Sequence, residues 1–287
     1  MEDPRSNKIR LLAFDWLARQ VAIHGDVLPR EVLARGFDFE GERIPFVAPV
    51  GIFKPRLMQY FPLTITTIPG GPYSDKLVGE KLIEYRYRGT NPDHPDNVRL
   101  RDAQKHEIPL IYLHRVSPGY YLVHWPVFVV GDNPAALTFT VEAAPLNMKF
   151  YESDKKLAIS EVMEKKIERK YVTTQVVQRI HQRSFRESVI SAYHEHCAIC
   201  RLKHRELLDA AHIIPDNEGG EPVVQNGLSL CKIHHAAFDN NILGISPDYQ
   251  VKIRADILEE VDGPMLKWGL QEMDGVKLYL PVARKRP

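Results

Sequence analysis

The stretch 196-HCAICRLKHRELLDAAHIIPDNEGGEPVVQNGLSLCKIHHAAFD-239 decides how this chain is read. All three cysteines and six of the twelve histidines lie between His194 and His235, a cluster that random placement does not produce. The spacing is Cys197-Ala-Ile-Cys200, then thirty residues, then Cys231-Lys-Ile-His234. Each pair puts two side chains on one tight turn. Three thiolates and one neutral imidazole then satisfy a tetrahedral Zn²⁺. With four protein ligands the site is closed, so the predicted zinc is structural. The alternative is a set of buried, unliganded thiols. Three cysteines in any case make no disulfide scaffold.

Between the two pairs lies a second pattern. Leu207–Pro215 reads as a strand ending in His212, followed by a loop with Asp216, Gly219 and Gly220. Asn226–Cys231 reads as a second strand, and His234-His235-Ala-Ala-Phe-Asp239 opens a helix. His212, Asn226 and His235 therefore fall in order on a strand, loop, strand, helix frame. This arrangement resembles the HNH endonucleases of the ββα-metal type, in their zinc-stapled form, over about residues 181–250.

The resemblance implies hydrolysis of phosphodiester bonds. That chemistry needs an activated water and a cation to neutralise developing negative charge. It makes His212 the general base, a role suited to a side chain that ordinarily titrates near neutrality. It makes Asn226 the residue that holds the catalytic loop. His235 and Asp239 are four apart on a helix and share a face, so they are assigned to a catalytic Mg²⁺, Mn²⁺ or other divalent ion. One position departs from the family: the residue before the base, often a metal ligand there, is Ala211. Asp209, two residues earlier, is the candidate substitute, with a structural role as its alternative. His181 and Arg183 are candidates for touching phosphate. His194, His196 and His204 read as surface or packing residues, and Asp216 and Glu218 as loop acids that serve the site or only the turn.

The chain has 287 residues, 44% of them hydrophobic and 26% charged, which excludes disordered and fibrous classes. Its length suggests two domains, each able to bury a core. No apolar run is long enough to cross a bilayer. The start, MEDPRSNKIRLLAFDW, lacks the order of a signal peptide, so a cytoplasmic protein with no membrane partner is expected. The net charge of +1 hides an uneven distribution. Residues 1–150 carry 18 basic and 17 acidic side chains, residues 151–205 carry 12 and 7, and residues 206–287 carry 8 and 13. A basic middle beside an acidic end suits a polyanion lying near carboxylates and a cation. A solvated charged helix explains it equally well.

Ile9, Leu12, Ala13, Trp16 and Val21 recur at helical spacing after Ser6, which reads as the N-cap. A second short helix is expected from Pro29 to Gly36. From Phe37 to Glu142 short β-rich runs alternate with Gly and Pro clusters: Leu63–Ile68, Lys81–Tyr87, Ile108–His114, Tyr120–Val130 and Thr138–Glu142. This pattern predicts a compact barrel or sandwich. The expected class is thus α+β. Residues 1–150 form a β-barrel domain with flanking helices, 151–180 a charged helical linker, and 181–287 the zinc-stapled ββα domain.

Within the first domain a frame runs through Gly70-Gly71, Tyr73, Asp75, Gly79, Tyr85-Arg-Tyr87-Arg-Gly89, Asn97, Leu100, Pro109, Tyr120, Tyr121 and Val127. It resembles the SRA (SET- and RING-associated) domains, PUA-like barrels that read modified cytosine. The resemblance implies that 5-methyl- or 5-hydroxymethylcytosine is flipped out of the duplex into a pocket. Base–aromatic stacking is worth about 1–3 kcal/mol, comparable to the cost of unstacking. Tyr73 and either Tyr85 or Tyr87 are the stacking candidates, and Asp75 is the cytosine-edge acceptor. Ungapped alignment places Lys76 at the family's carboxylate position, and Asp75 serves if the backbone shifts by one residue.

The combined expectation is a modification-dependent restriction endonuclease acting on double-stranded DNA. One HNH site cuts one strand, so a double-strand break implies a homodimer or two nicks. Two other readings stay open: a zinc-stapled DNA-binding module with an inactive HNH remnant, and a ligand-gated, non-specific HNH nuclease of a defence system.

Overall fold

The computed structural model describes residues 2–69, 76–78, 82–145 and 159–281. Its contacts divide the chain after Ile180 into two compact units.

In the first unit, helix α1 (Pro4–His24) leads to β1 (Val27–Pro29), α2 (Arg30–Arg35), β2 (Phe37–Phe39), β3 (Glu42–Ile44), β4 (Ile52–Phe53) and β5 (Thr64–Thr67). Then follow β6 (Lys76–Val78), β7 (Leu82–Arg86), α3 (Pro95–Lys105), β8 (Leu110–Ser117), β9 (Tyr120–Asn133) and β10 (Thr138–Ala143). Helix α4 (Ile159–Ala192) begins in this unit and ends in the second. Eight strands form one sheet in the order β4-β5-β8-β9-β10-β7-β6, with β1 pairing β9. Pairing is antiparallel except between β5 and β8. Among the described residues these strands make one large mixed sheet, in which β4 and β6 are not paired with each other.

The apolar runs of β8 and β9 follow from covering on both faces. Ile111, Leu113, Tyr121, Val123 and Trp125 pack with Ile9, Ala13 and Leu17 of α1. Their alternates Leu110, Tyr112 and Leu122, with Val127 and Val129, pack with Val176, Val177 and Ile180 of α4. A strand buried on both sides reads as continuous apolar sequence rather than an alternating one. The last turns of the stretch expected to be a linker are thus part of the first core.

Two local expectations are corrected. The N-cap of α1 is Asp3, whose side chain accepts from the Ser6 amide at 2.9 Å. Pro4, at the first helical position, needs no backbone donor. Ser6 is buried and its hydroxyl accepts from the Gln59 amide. Helix α3 was not expected, because most of HPDNVRLRDAQK is polar. Pro95 starts it and the His94 ring caps it. Leu100 and Ala103 enter the core, and buried Asn97 fixes the preceding loop through the backbone of Arg88 and Asn91.

His124 on β9 is buried, with Nε2 facing the Ala144 carbonyl at 3.2 Å. Burial, reinforced by the Arg179 guanidinium, pushes its pKa from 6.5 down to about 4. Between those values the unfolded chain binds a proton that the folded chain refuses, so stability falls as pH falls through that window. The full loss is about 3 kcal/mol, and none of it appears above the unfolded value. Thermal melts at neutral and mildly acidic pH should show a smaller acid loss for His124→Gln than for wild type. Equal losses would contradict this account.

The second unit contains the end of α4, β11 (Leu208–His212), β12 (Gly227–Cys231), α5 (Lys232–Asp239), β13 (Leu243–Ile245), β14 (Val251–Ile253), α6 (Ala255–Glu259) and α7 (Pro264–Gly269). Phe185, Val189 and Ile190 of α4, with Tyr193 just after it, pack against Leu208, Ala211, Leu228 and Leu230 of the hairpin. Cys197 and Cys231 lie in the same core.

Candidate active site and zinc centre

Strands β11 and β12 pair antiparallel, with Leu208 opposite Cys231 and His212 opposite Gly227. The hairpin therefore carries a cysteine at one end and the candidate base at the other. Helix α5 starts directly after Cys231. That junction brings His234, one turn into the helix, back onto the cysteine side.

The four predicted zinc ligands converge. Their ligand atoms all lie within 4.8 Å of one another. The His234 Nδ1 is 3.4 Å from the Cys197 sulfur and 3.2 Å from the Cys231 sulfur, and the Cys200 and Cys231 sulfurs are 3.9 Å apart. A tetrahedral ion with Zn–S near 2.3 Å separates its sulfurs by about 3.8 Å, so the donor set fits zinc in type and spacing. The first half-site is shaped by its backbone: the Ala198 amide donates to the Ser229 carbonyl at 2.7 Å, and the Arg201 amide to the Cys197 carbonyl at 3.0 Å. The remaining His234 nitrogen, Nε2, donates to the Gly269 carbonyl at 2.8 Å, which leaves Nδ1 for a metal. Contacts with Cys197 and Cys200 hold the Cys231 thiol far below its ordinary range, while those with Cys197 and Cys231 push Cys200 up.

At the other end of the hairpin the His212 ring stacks on Phe185 of α4, with centroids 4.0 Å apart and planes 17° apart. Gly227 makes this contact sterically possible. A Cβ there would stand 2.3 Å from Val189 Cγ2 and 3.0 Å from the Phe185 ring. Buried Asn226 holds the loop beyond His212. Its Oδ1 accepts from the Ile214 amide at 2.8 Å, and its Nδ2 donates to the carbonyls of Ile214 at 2.9 Å and Glu221 at 3.0 Å. The exposed side chains of Ile213 and Ile214 extend from this pinned backbone. Gly220 is equally constrained: a Cβ would meet the Ile214 carbonyl oxygen at 1.9 Å and Asn226 Nδ2 at 2.7 Å. Gly220→Ala should therefore displace the Asn226 amide and cost about 1–3 kcal/mol. Chemical denaturation checks this, and an unchanged midpoint would contradict the steric reading.

On α5 the His235 ring lies between two carboxylates. Asp209 Oδ2 is 3.9 Å from Nδ1, and Asp239 Oδ2 is 3.3 Å from Nε2. The structure thus brings both carboxylates to the His235 ring, but at opposite nitrogens; among the described residues the group of three or more side chains that converges as a metal shell is the Cys197, Cys200, Cys231 and His234 set. Ala211 is fully buried. Asp209 is also bonded to Lys232 Nζ at 2.6 Å. Burial opposes the charge of Asp209, but Lys232, the Ala210 amide and Arg186 together keep its pKa below the usual carboxylate value. The sequence reading missed Phe185 as a partner of His212, and Arg186 and Lys232 as partners of Asp209. Only the helical periodicity of Phe185 hinted at any of them.

His181 is exposed and Arg183 half-buried on α4, and Asp216 and Glu218 sit on an exposed 3₁₀ turn. His194 and His196 pack near the Tyr279 ring, and His204 is exposed.

In the first unit, Tyr73 and Asp75 lie outside the described residues, as does the side chain of Lys76. Tyr85 and Tyr87 are buried in the core. The Tyr87 ring stacks on Phe139 at 4.5 Å, and its hydroxyl donates to Asp132, which also binds Arg101. Phe139 and the surrounding core thus take up the stacking surface of Tyr87.

Residues 197–246 match the family described as HNH endonuclease. The C-terminal unit therefore carries an HNH endonuclease domain, and the protein is a nuclease. Among solved structures, one similar chain is titled "Modification dependent TagI restriction endonuclease", at 16% identity and a TM-score of 0.26, covering 79% of this chain and 78% of that one. A second is titled "Structure of the Type IV phosphorothioation-dependent restriction endonuclease ScoMcrA", at 14% identity and a TM-score of 0.23, covering 61% of this chain and 52% of that one. A comparison with curated proteins finds no match. Among the described residues no helix is long and apolar enough to cross a membrane.

Proposed function

We propose that this protein is a modification-dependent DNA endonuclease whose HNH domain cuts the backbone and whose first unit selects DNA bearing 5-methyl- or 5-hydroxymethylcytosine. The observation that carries the hydrolytic part is the hairpin itself. One end holds a Cys₃His donor set, the other presents His212 on Phe185, and Asn226 pins the loop beyond His212.

In this reading His212 takes the proton from an attacking water. His235 and Asp239 hold a Mg²⁺ or Mn²⁺ ion, which would neutralise charge on the phosphate. Asn226 keeps His212 at a fixed place by tying down Ile214. Lys232 and Arg186 add positive charge beside the carboxylates. A zinc ion there would tie the Cys197–Cys200 turn to the junction of β12 and α5 and would take no part in the chemistry.

The modification-reading part rests on the SRA-like sequence frame from Gly70 to Val127. Base flipping is the route by which such a unit inspects a cytosine. Tyr73, Asp75 and either Tyr85 or Tyr87 are the candidate pocket residues; Tyr85 and Tyr87 are buried in the first core. Double-strand cleavage then requires two copies of the chain or two successive nicks.

The test is digestion of one plasmid in unmodified, 5-methylcytosine and 5-hydroxymethylcytosine forms, with Mg²⁺ and with Mn²⁺. Cleavage confined to one or both modified forms is expected. Equal cutting of all three would remove the modification reading and leave a non-specific nuclease. Cutting of none, with DNA still bound, would favour an inactive binding module.

A further inference from the structure

We propose that Asp209 is a positioning residue for the His235–Asp239 metal pair and not itself a ligand of the ion. The inference rests on the nuclease reading above and assigns a task that the pattern of residues left open.

Both oxygens of Asp209 are already engaged. Oδ2 accepts from Lys232 Nζ at 2.6 Å. Oδ1 accepts from the Ala210 amide at 3.1 Å and lies 3.4 Å from Arg186 Nε. To ligate an ion, Asp209 would have to give up two cations and a backbone donor. Asp239 is placed differently: its side chain is 59% exposed and stands at the Nε2 edge of His235.

An imidazole offers a metal one nitrogen, and the other is commonly turned toward a carboxylate that fixes the ring. Here the Nδ1 edge faces Asp209 and the Nε2 edge faces Asp239. Nε2 and the Asp239 carboxylate are then the two groups presented to an ion. Mg²⁺ and its relatives are commonly held by few protein ligands, with water and substrate phosphate completing the shell. The carboxylate of Asp209 joins three elements, β11 by its own position, α5 through Lys232 and α4 through Arg186. Its Oδ2 stands 3.9 Å from His235 Nδ1, outside direct hydrogen-bond reach, so it acts on the ring by tying α5, through Lys232, to the hairpin. Buried Ala211 is consistent with this division, since no ligand is presented from that position.

The test is Mn²⁺ binding to the full-length, zinc-loaded protein without DNA, followed by the electron paramagnetic resonance of free Mn²⁺. Asp209→Asn should bind one Mn²⁺ about 10- to 100-fold more weakly than wild type, and Asp239→Asn should lose the site. Unchanged affinity in Asp209→Asn would reduce Asp209 to a structural ion pair and overturn the proposal. Loss as complete as in Asp239→Asn would make it a ligand and overturn it as well, and so would the absence of a Mn²⁺ site in wild type. If Asp209→Asn fails to retain zinc, Asp209→Glu, which keeps the charge and moves it outward, is judged by the same three outcomes. Failure of the nuclease reading shows itself separately, as Mn²⁺ bound in the expected order with no DNA cut.

Discussion

Replacing His212 by alanine should lower the rate of phosphodiester hydrolysis about a hundred- to ten-thousand-fold, with zinc content and DNA affinity retained. The expectation follows from how the ring is held. His212 ends β11 opposite Gly227, lies flat on Phe185, and is followed by a loop that Asn226 grips on both sides of Ile214. The ring itself rests on Phe185, and the chain just beyond it is tied down by Asn226. Removing the imidazole leaves that framework in place, so loss of rate without loss of fold is the signature of a proton acceptor. Single-turnover cleavage of a modified duplex, with the metal content of each protein measured alongside, gives the ratio. A rate within a few-fold of wild type would mean that another group activates the water.

Removing the zinc should have the larger structural effect. Structural zinc contributes on the order of 10–16 kcal/mol in small domains, comparable to the whole stability of a domain. Cys197 and Cys231 are core residues of the second unit, packed with Leu208, Leu230 and Val251. Three of the four ligands are buried or bonded into strand and helix ends. Chelation, or Cys231→Ser, should therefore unfold residues 196–240, while the first unit keeps its separate cores of Ile9–Leu17 and Leu110–Val129. Hydrogen exchange resolved along the chain checks this. Fast exchange is expected across β11, β12 and α5, with protection retained in β8 and β9. Protection unchanged in the hairpin after chelation would show that the thiol cluster packs as ordinary core.

How much of this was legible in the sequence differs between the two units for a physical reason. The zinc ligands come in two local pairs, and His235 and Asp239 in one helical turn, so spacing alone placed them together. The partners of Asp209 could not be read this way. Arg186, Lys232 and His235 reach it from two helices, and ordinary charged residues carry no mark of which acid they will meet. In the first unit β5, β7, β8, β9 and β10 were visible as β-rich runs, β8 and β9 most plainly because they are covered on both faces, while β6 was not. Helix α3 was hidden, because its buried side includes Asp96 and Asn97 as well as Leu100 and Ala103. Tyr85 on β7 and Tyr87 just beyond it are both buried in the first core; an aromatic in a strand pattern carries no mark that separates a packing role from a pocket role.

The central claim, that one zinc ion knits the hairpin to α5 and so holds the candidate base and the metal pair on one scaffold, is tested most directly by X-ray absorption at the zinc edge of the purified full-length protein. The account predicts one zinc per chain with three sulfur neighbours near 2.3 Å and one nitrogen near 2.0–2.1 Å. A protein free of zinc, or a zinc surrounded by oxygen and nitrogen alone, would contradict it.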